Sequence, residues 1–183
     1  GAGQLSILAP PGTYTVKLTI GGRDYSQSLT VYKDPHSAGT EADIASQMKV
    51  LAEIASHMNT TVDAINQLEY VRAQVQSIMR SVPEGELRRA AAELESRLTA
   101  AEMNLIDLRI TGTGQDGVRY AAKLLQKLNY LANGIASSDD RPTDQHLEAA
   151  GVLQDRLKSH LAEIGALIDK DVASFNDMLR RAS

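Results

Sequence analysis

Few residues in this chain have types and spacings that could do chemistry. Gly112-Thr113-Gly114-Gln115-Asp116-Gly117 has the G-x-G-x-x-G spacing of a dinucleotide-phosphate cradle. Such a cradle works only where a strand runs into the glycines and the following helix points its N-terminus at a pyrophosphate. Here an apolar helical repeat precedes the glycines, so the run reads as an interhelical loop with Asp116 as the N-cap of the next helix. The histidines are His36, His57, His146 and His160; none sits in H-E-x-x-H, and no pair has the i, i+4 spacing that aims two imidazoles at one metal. On one ideal helix His146 and His160 stand about 21 Å apart, too far for one ion. Asp139-Asp140 and Asp169/Asp171 raise the paired carboxylates of glycoside cleavage. No cleft-forming element surrounds them, and they read as solvated charge. Asn59-Thr60-Thr61 matches a glycosylation sequon but falls inside a helical repeat. Neither G-x-S-x-G nor G-x-x-x-x-G-K occurs. No catalytic, cofactor-binding or metal-ligating residue is assigned, and the expectation is a segment that is not an enzyme and carries no cofactor.

With little chemistry to position, the elements are explained by packing. The 183 residues are 43% hydrophobic and 23% charged, the balance of a globular protein with one good core. Only 4% are aromatic, so the core is built from Leu, Ile, Val, Met and Ala. A net charge of −4 argues against a nucleic-acid or anionic-membrane partner, since both select a basic face. The absence of cysteine removes disulfides and thiolate chemistry without fixing a compartment. No apolar run reaches the roughly 18 residues of a membrane span, and no signal-peptide pattern opens the chain. If the parent is exported, its signal is expected upstream.

The hydrophobic period changes at Asp34-Pro35. Before it, Tyr14, Val16, Leu18 and Ile20 alternate with Thr13, Thr15, Lys17 and Thr19, the pattern of a strand with one buried face. Gly21-Gly22 can supply the positive φ angles of a two-residue hairpin turn. That turn sets Ile20 opposite Arg23, Leu18 opposite Tyr25, Val16 opposite Gln27 and Tyr14 opposite Leu29. Leu5, Ile7 and Leu8 would form a short third strand or a tail. An isolated hairpin is marginal in water, so its apolar face needs a cover. The cover is the helices, missing strands of a larger sandwich, or another chain at its open edge.

After the change the chain is helical. Thr40 and Asp43 make a capping-box start, and Ile44, Met48, Leu51, Ala55, Met58, Val62, Ile65, Leu68, Val75, Ile78 and Val82 follow at threes and fours. This predicts a rod of about 60 Å. Ser81, Pro83 and Glu84 mark a stop and a new start. A second helix carries Leu87, Ala91, Leu94, Leu98, Ala101, Leu105 and Leu108; a third carries Val118, Ala121, Leu124, Leu128, Leu131 and Ile135. Pro142-Thr143 opens a long last helix through Leu147, Leu153, Leu157, Leu161, Ile164, Ile168, Val172, Phe175 and Leu179. The fold class expected is mainly α, an antiparallel up-down four-helix bundle with long first and last helices, preceded by an N-terminal β-hairpin. Two units are expected: residues 1–35, a β-hairpin read as the remnant of a β-sandwich module, and residues 36–183, the helical bundle.

The run Pro11 to Gly22, with Tyr25 to Val31 and Asp34-Pro35, resembles the end of the C-terminal region of bacterial BNR-repeat or sortilin-like (VPS10-type) β-propeller proteins, often labelled glycosyl hydrolases. Gly114 to Asp116, Leu124 to Tyr130, Pro142-Thr143 and Asp169 to Leu179 resemble the helical tail of that region. The resemblance implies an exported parent, periplasmic or extracellular, and a hairpin that closes an immunoglobulin-like module. Any active centre would belong to the propeller, and no functional residue carries over to this segment. The expected function is therefore a non-catalytic accessory or interaction domain. Its partner is the parent's own upstream propeller or sandwich domain or another protein. The alternatives are a homodimerisation module, suggested by near-heptad stripes and an open strand edge, and a cis-acting accessory to a glycoside-hydrolase-like propeller.

Overall fold

The computed structural model describes residues 7–112 and 115–182. It is mainly helical and begins with an antiparallel hairpin of β1 (Gly12–Ile20) and β2 (Arg23–Val31). The turn glycines Gly21 and Gly22 have φ of 56° and 79°. A side chain would be strained at both, which is why the tightest two-residue turn falls there. The resulting register pairs Tyr14 with Leu29, Val16 with Gln27, Leu18 with Tyr25 and Ile20 with Arg23, the alignment the alternation predicts. Ile7 and Leu8 form no strand, and Leu5 lies outside the described residues.

The helices are α1 (Glu41–Ser81), α2 (Glu86–Leu105), a single turn α3 (Asp116–Arg119), α4 (Leu124–Ile135), α5 (Asp144–Ala166) and α6 (Ala173–Ala182). A π-helical stretch, Leu167–Val172, joins α5 to α6 without interruption. The capping box of α1 is complete: Thr40 Oγ1 accepts from the Asp43 amide at 3.1 Å, and Asp43 Oδ2 accepts from the Thr40 amide at 2.9 Å. At α5, Thr143 Oγ1 accepts from the His146 amide at 3.2 Å. These bonds satisfy amides that a helix start leaves unpaired, so the starts fall where the sequence marks them.

Helix α1 packs on α2, α4 and α5, and α2 also meets α6. Their shared core centres on Leu51, Ile54, Leu68, Leu98, Leu105 and Leu128, all essentially inaccessible to water. Because α1 has neighbours on several sides, its buried arc is wider than one stripe: Gln47, Thr61 and Ala64 are buried with it, whereas Val62 is exposed. Two expectations need correction. The third helix does not start at Val118, which is exposed; backbone 120–123 is not helical, and α4 begins at Leu124. The second helix ends at Leu105, so Leu108 lies beyond it. The physical reason is that Leu124, Leu128, Ala132 and Ile135 reach the core while Val118 does not. Helical periodicity therefore extended past the residues that packing holds. Among the described residues no helix is long and apolar enough to cross a membrane.

Candidate interaction surface

The groups that invited a chemical reading are dispersed. The four histidines stand on separate elements or turns, and among the described residues no three of His, Cys, Asp and Glu gather to hold a metal. His146 serves its own helix start, where its Nδ1 accepts from the Thr143 amide at 3.4 Å. His160 lies 3.5 Å from Glu163 on the next turn. Asp171 is not simply solvated: both its oxygens accept from the Arg97 guanidinium, at 2.5 and 2.8 Å, which ties the π-helical stretch to α2. Thr61, the last residue of the sequon, is fully buried and donates to the His57 carbonyl at 2.7 Å. Asn59 thus belongs to a continuous packed helix. Of the glycine-rich run, Thr113 and Gly114 lie outside the described residues. Asp116 sits in the first turn of α3 rather than at its N-cap, and its Oδ2 accepts from the Thr111 amide at 2.9 Å and from the Thr111 hydroxyl at 2.8 Å.

Two charged clusters escaped the sequence reading. Arg72 on α1 donates to Glu102 at 2.5 Å and to Glu95 at 3.1 Å, both on α2. Gln76 and Thr99 also donate to Glu95, each at 3.1 Å. Burial pushes the Glu95 carboxyl up, but these three donors outweigh it and hold the group below the usual carboxylate range. Glu102 is fully buried, with Oε1 unpaired. Its position four residues after Leu98 puts it within the apolar stripe, which is the signal that could have revealed it. In the second cluster, Arg109 donates to both oxygens of buried Asp107, at 2.8 and 2.6 Å, and its guanidinium lies 4.2 Å from the centre of the Tyr120 ring. Hydrogen bonding to Arg109 lowers the Asp107 carboxyl to about 2. Both clusters tie one segment to another; of their residues Tyr120 lines a shallow cavity of about 460 Å³ with Ile110, Gln126 and Tyr130.

The surface that stands out is the hairpin. On its polar face Lys17 pairs with Asp24 at 2.7 Å, and Thr19 donates to the same carboxylate at 2.6 Å. Its other face carries Val16, Leu18, Ile20, Tyr25 and Leu29, which remain between 49% and 60% exposed. Among the described residues neither strand packs against a helix. Five large apolar side chains on one side of a two-stranded sheet form a contiguous patch of the kind that marks an interface.

The root of the hairpin is firmly built. Lys33 Nζ donates to the carbonyls of Asp34 and Ser37, at 2.9 and 2.6 Å. Gly39 lies so close to the Asp139 carbonyl that a Cβ would overlap it. Gln47 Nε2 donates to the carbonyls of Ile135, at 2.9 Å, and of Ser138, tying α1 to the end of α4. A cleft of about 420 Å³ opens at this joint, lined in part by Leu8, Val31, Tyr32, Ile44 and Met48, with Asp34 and Asp139 also at its wall. Compared with protein-family models, with curated proteins and with solved structures, the chain matches none, so the resemblance to propeller proteins rests on its residues alone.

Proposed function

We propose that this chain is a non-catalytic interaction module in which an antiparallel up-down four-helix bundle, formed by α1, α2, α4 and the α5–α6 rod, presents the β1–β2 hairpin to a partner. Packing of α1 against α2, α4 and α5 supports the bundle. The observation that carries the function is the hairpin's apolar face, about half exposed with no helix behind it. A two-stranded hairpin with an uncovered apolar face has little intrinsic stability and gains it from what binds there. The module serves a larger exported protein of the propeller type by joining it to that partner, rather than by acting on a substrate.

The test is site-specific photo-crosslinking in the full chain, with a photoreactive side chain in place of Leu18 and, separately, of Lys17. The two positions are adjacent in sequence and face opposite sides of the sheet. Abundant protein crosslinks from position 18 and few from position 17 are expected. Equal yields at the two positions, or none at 18, would remove the interaction reading.

A further inference from the structure

The interaction reading leaves open what covers the hairpin. The geometry points to a second copy of this chain, stacked apolar face to apolar face and running antiparallel, so that the tip of each hairpin reaches the root of the other. The inference rests on the interaction reading and names its partner.

The chain's own helices are held off as a cover. Swinging the hairpin onto them would strain the joint where Lys33 is bonded to the Asp34 and Ser37 carbonyls and Gly39 abuts Asp139. These contacts hold the segment between the hairpin and α1 in one path.

Tip and root are complementary. At the tip stand Ile20, 60% exposed, and exposed Arg23, which has no ion-pair partner among the described residues. At the root, the row Tyr25, Gln27, Leu29, Val31, apolar except for Gln27, runs into the 420 Å³ cleft, whose wall carries two carboxylates, Asp34 and Asp139, and one cation, Lys33, which is bonded to backbone carbonyls. A nine-residue strand is about 30 Å long. Antiparallel stacking over that length brings Ile20 to the partner's cleft and Arg23 to its carboxylates, while Val16 and Gln27 cross their counterparts near the two-fold axis and Leu18 and Tyr25 meet the partner's Tyr14 and Leu29. Each contact is then made twice, as an isologous interface requires.

The area agrees. An apolar face of this kind exposes on the order of 500 Å² per copy, so two faces remove about 1,000 Å² from water. Filling both root clefts brings the total into the range of roughly 1,200–2,000 Å² that specific interfaces bury. The polar face, with Lys17, Asp24 and Thr19 paired among themselves, offers no second stacking surface. Association through the stacked faces therefore closes at two copies.

The test is sedimentation equilibrium of the full chain from low micromolar to near millimolar concentration, with circular dichroism to confirm that each variant folds. A dimer is expected. Leu18→Lys places a charge within the stacked apolar face and should weaken it by at least about a hundredfold, while Lys17→Glu on the opposite face should leave it unchanged. Arg23→Glu should weaken it by about tenfold, and added salt should weaken the wild type, because the tip–root contact is charged. A dimer indifferent to Leu18→Lys would place association on the helices and overturn the inference. A monomer throughout would also overturn it; crosslinks from position 18 to a different protein would then leave the interaction reading standing, whereas their absence would end both.

Discussion

A buried carboxylate within an apolar stripe is costly unless its partner is fixed, and Glu102 illustrates the asymmetry. Removing Arg72 by Arg72→Ala leaves Glu102 uncompensated and should cost about 2–4 kcal/mol in urea denaturation. The double variant Arg72→Met/Glu102→Leu removes both charges and should recover most of that loss; if it is no more stable than the single variant, the pair does not act as a unit. Asp107 carries a pH signature. Its folded-state value of about 2 lies below the ordinary 3.8, so its contribution is present above the unfolded value and is lost as pH falls towards 2. Glu95, also lowered, acts in the same direction. The unfolding midpoint should hold steady down to about pH 5 and then fall between about 4 and 2. Arg109→Ala should return the Asp107 carboxyl towards 3.8, read by carboxyl carbon NMR, and flatten part of the acid loss. A titration unchanged by that substitution would remove Arg109 as the cause.

At the scale of elements, the joint between hairpin and helices rests on one small residue. A Cβ at Gly39 meets backbone at Asp139 rather than a movable side chain, so Gly39→Ala must displace the α4–α5 connection. The expected loss is about 1–3 kcal/mol in thermal or denaturant unfolding. Faster amide exchange across residues 135–140, where the Gln47 side chain ties down carbonyls, should accompany it. A neutral substitution would mean that the approach is loose. The hairpin register was legible in the sequence because two glycines and a period of two determine it locally. The starts of α1 and α5 were legible for a similar reason, as Thr40 and Thr143 bond only to residues three positions away. What could not be read depends on distant partners. Asp171 reaches Arg97, Gln47 reaches Ile135, and Gly39 meets Asp139 across long stretches of chain. Val118 continues the helical period, yet only α4 contacts the core, and pattern alone carries no record of that. The apolar row of the interaction face was legible residue by residue. Its exposure was not, since alternation indicates that a face wants cover without saying whether the chain supplies it.

For the whole molecule, two regions of very different burial share one chain. The helices bury a common core with Leu51, Leu68, Leu98 and Leu128 at its centre, whereas the hairpin holds only its own ladder and half-exposed side chains. Amide hydrogen exchange should therefore separate them. At low protein concentration the ladder residues 12–20 and 23–31 should exchange at least about a hundredfold faster than core segments of α1. Protection of the ladder should then rise with concentration, because a copy bound to the hairpin stabilises the closed ladder in proportion to its occupancy. The helical core, already near its limiting protection, should change far less. Leu18→Lys should abolish the concentration dependence and leave the core signal intact, since no helix packs behind that face. Ladder protection equal to that of the core at every concentration would mean that the helical body itself holds the hairpin, and the uncovered face would no longer call for a partner.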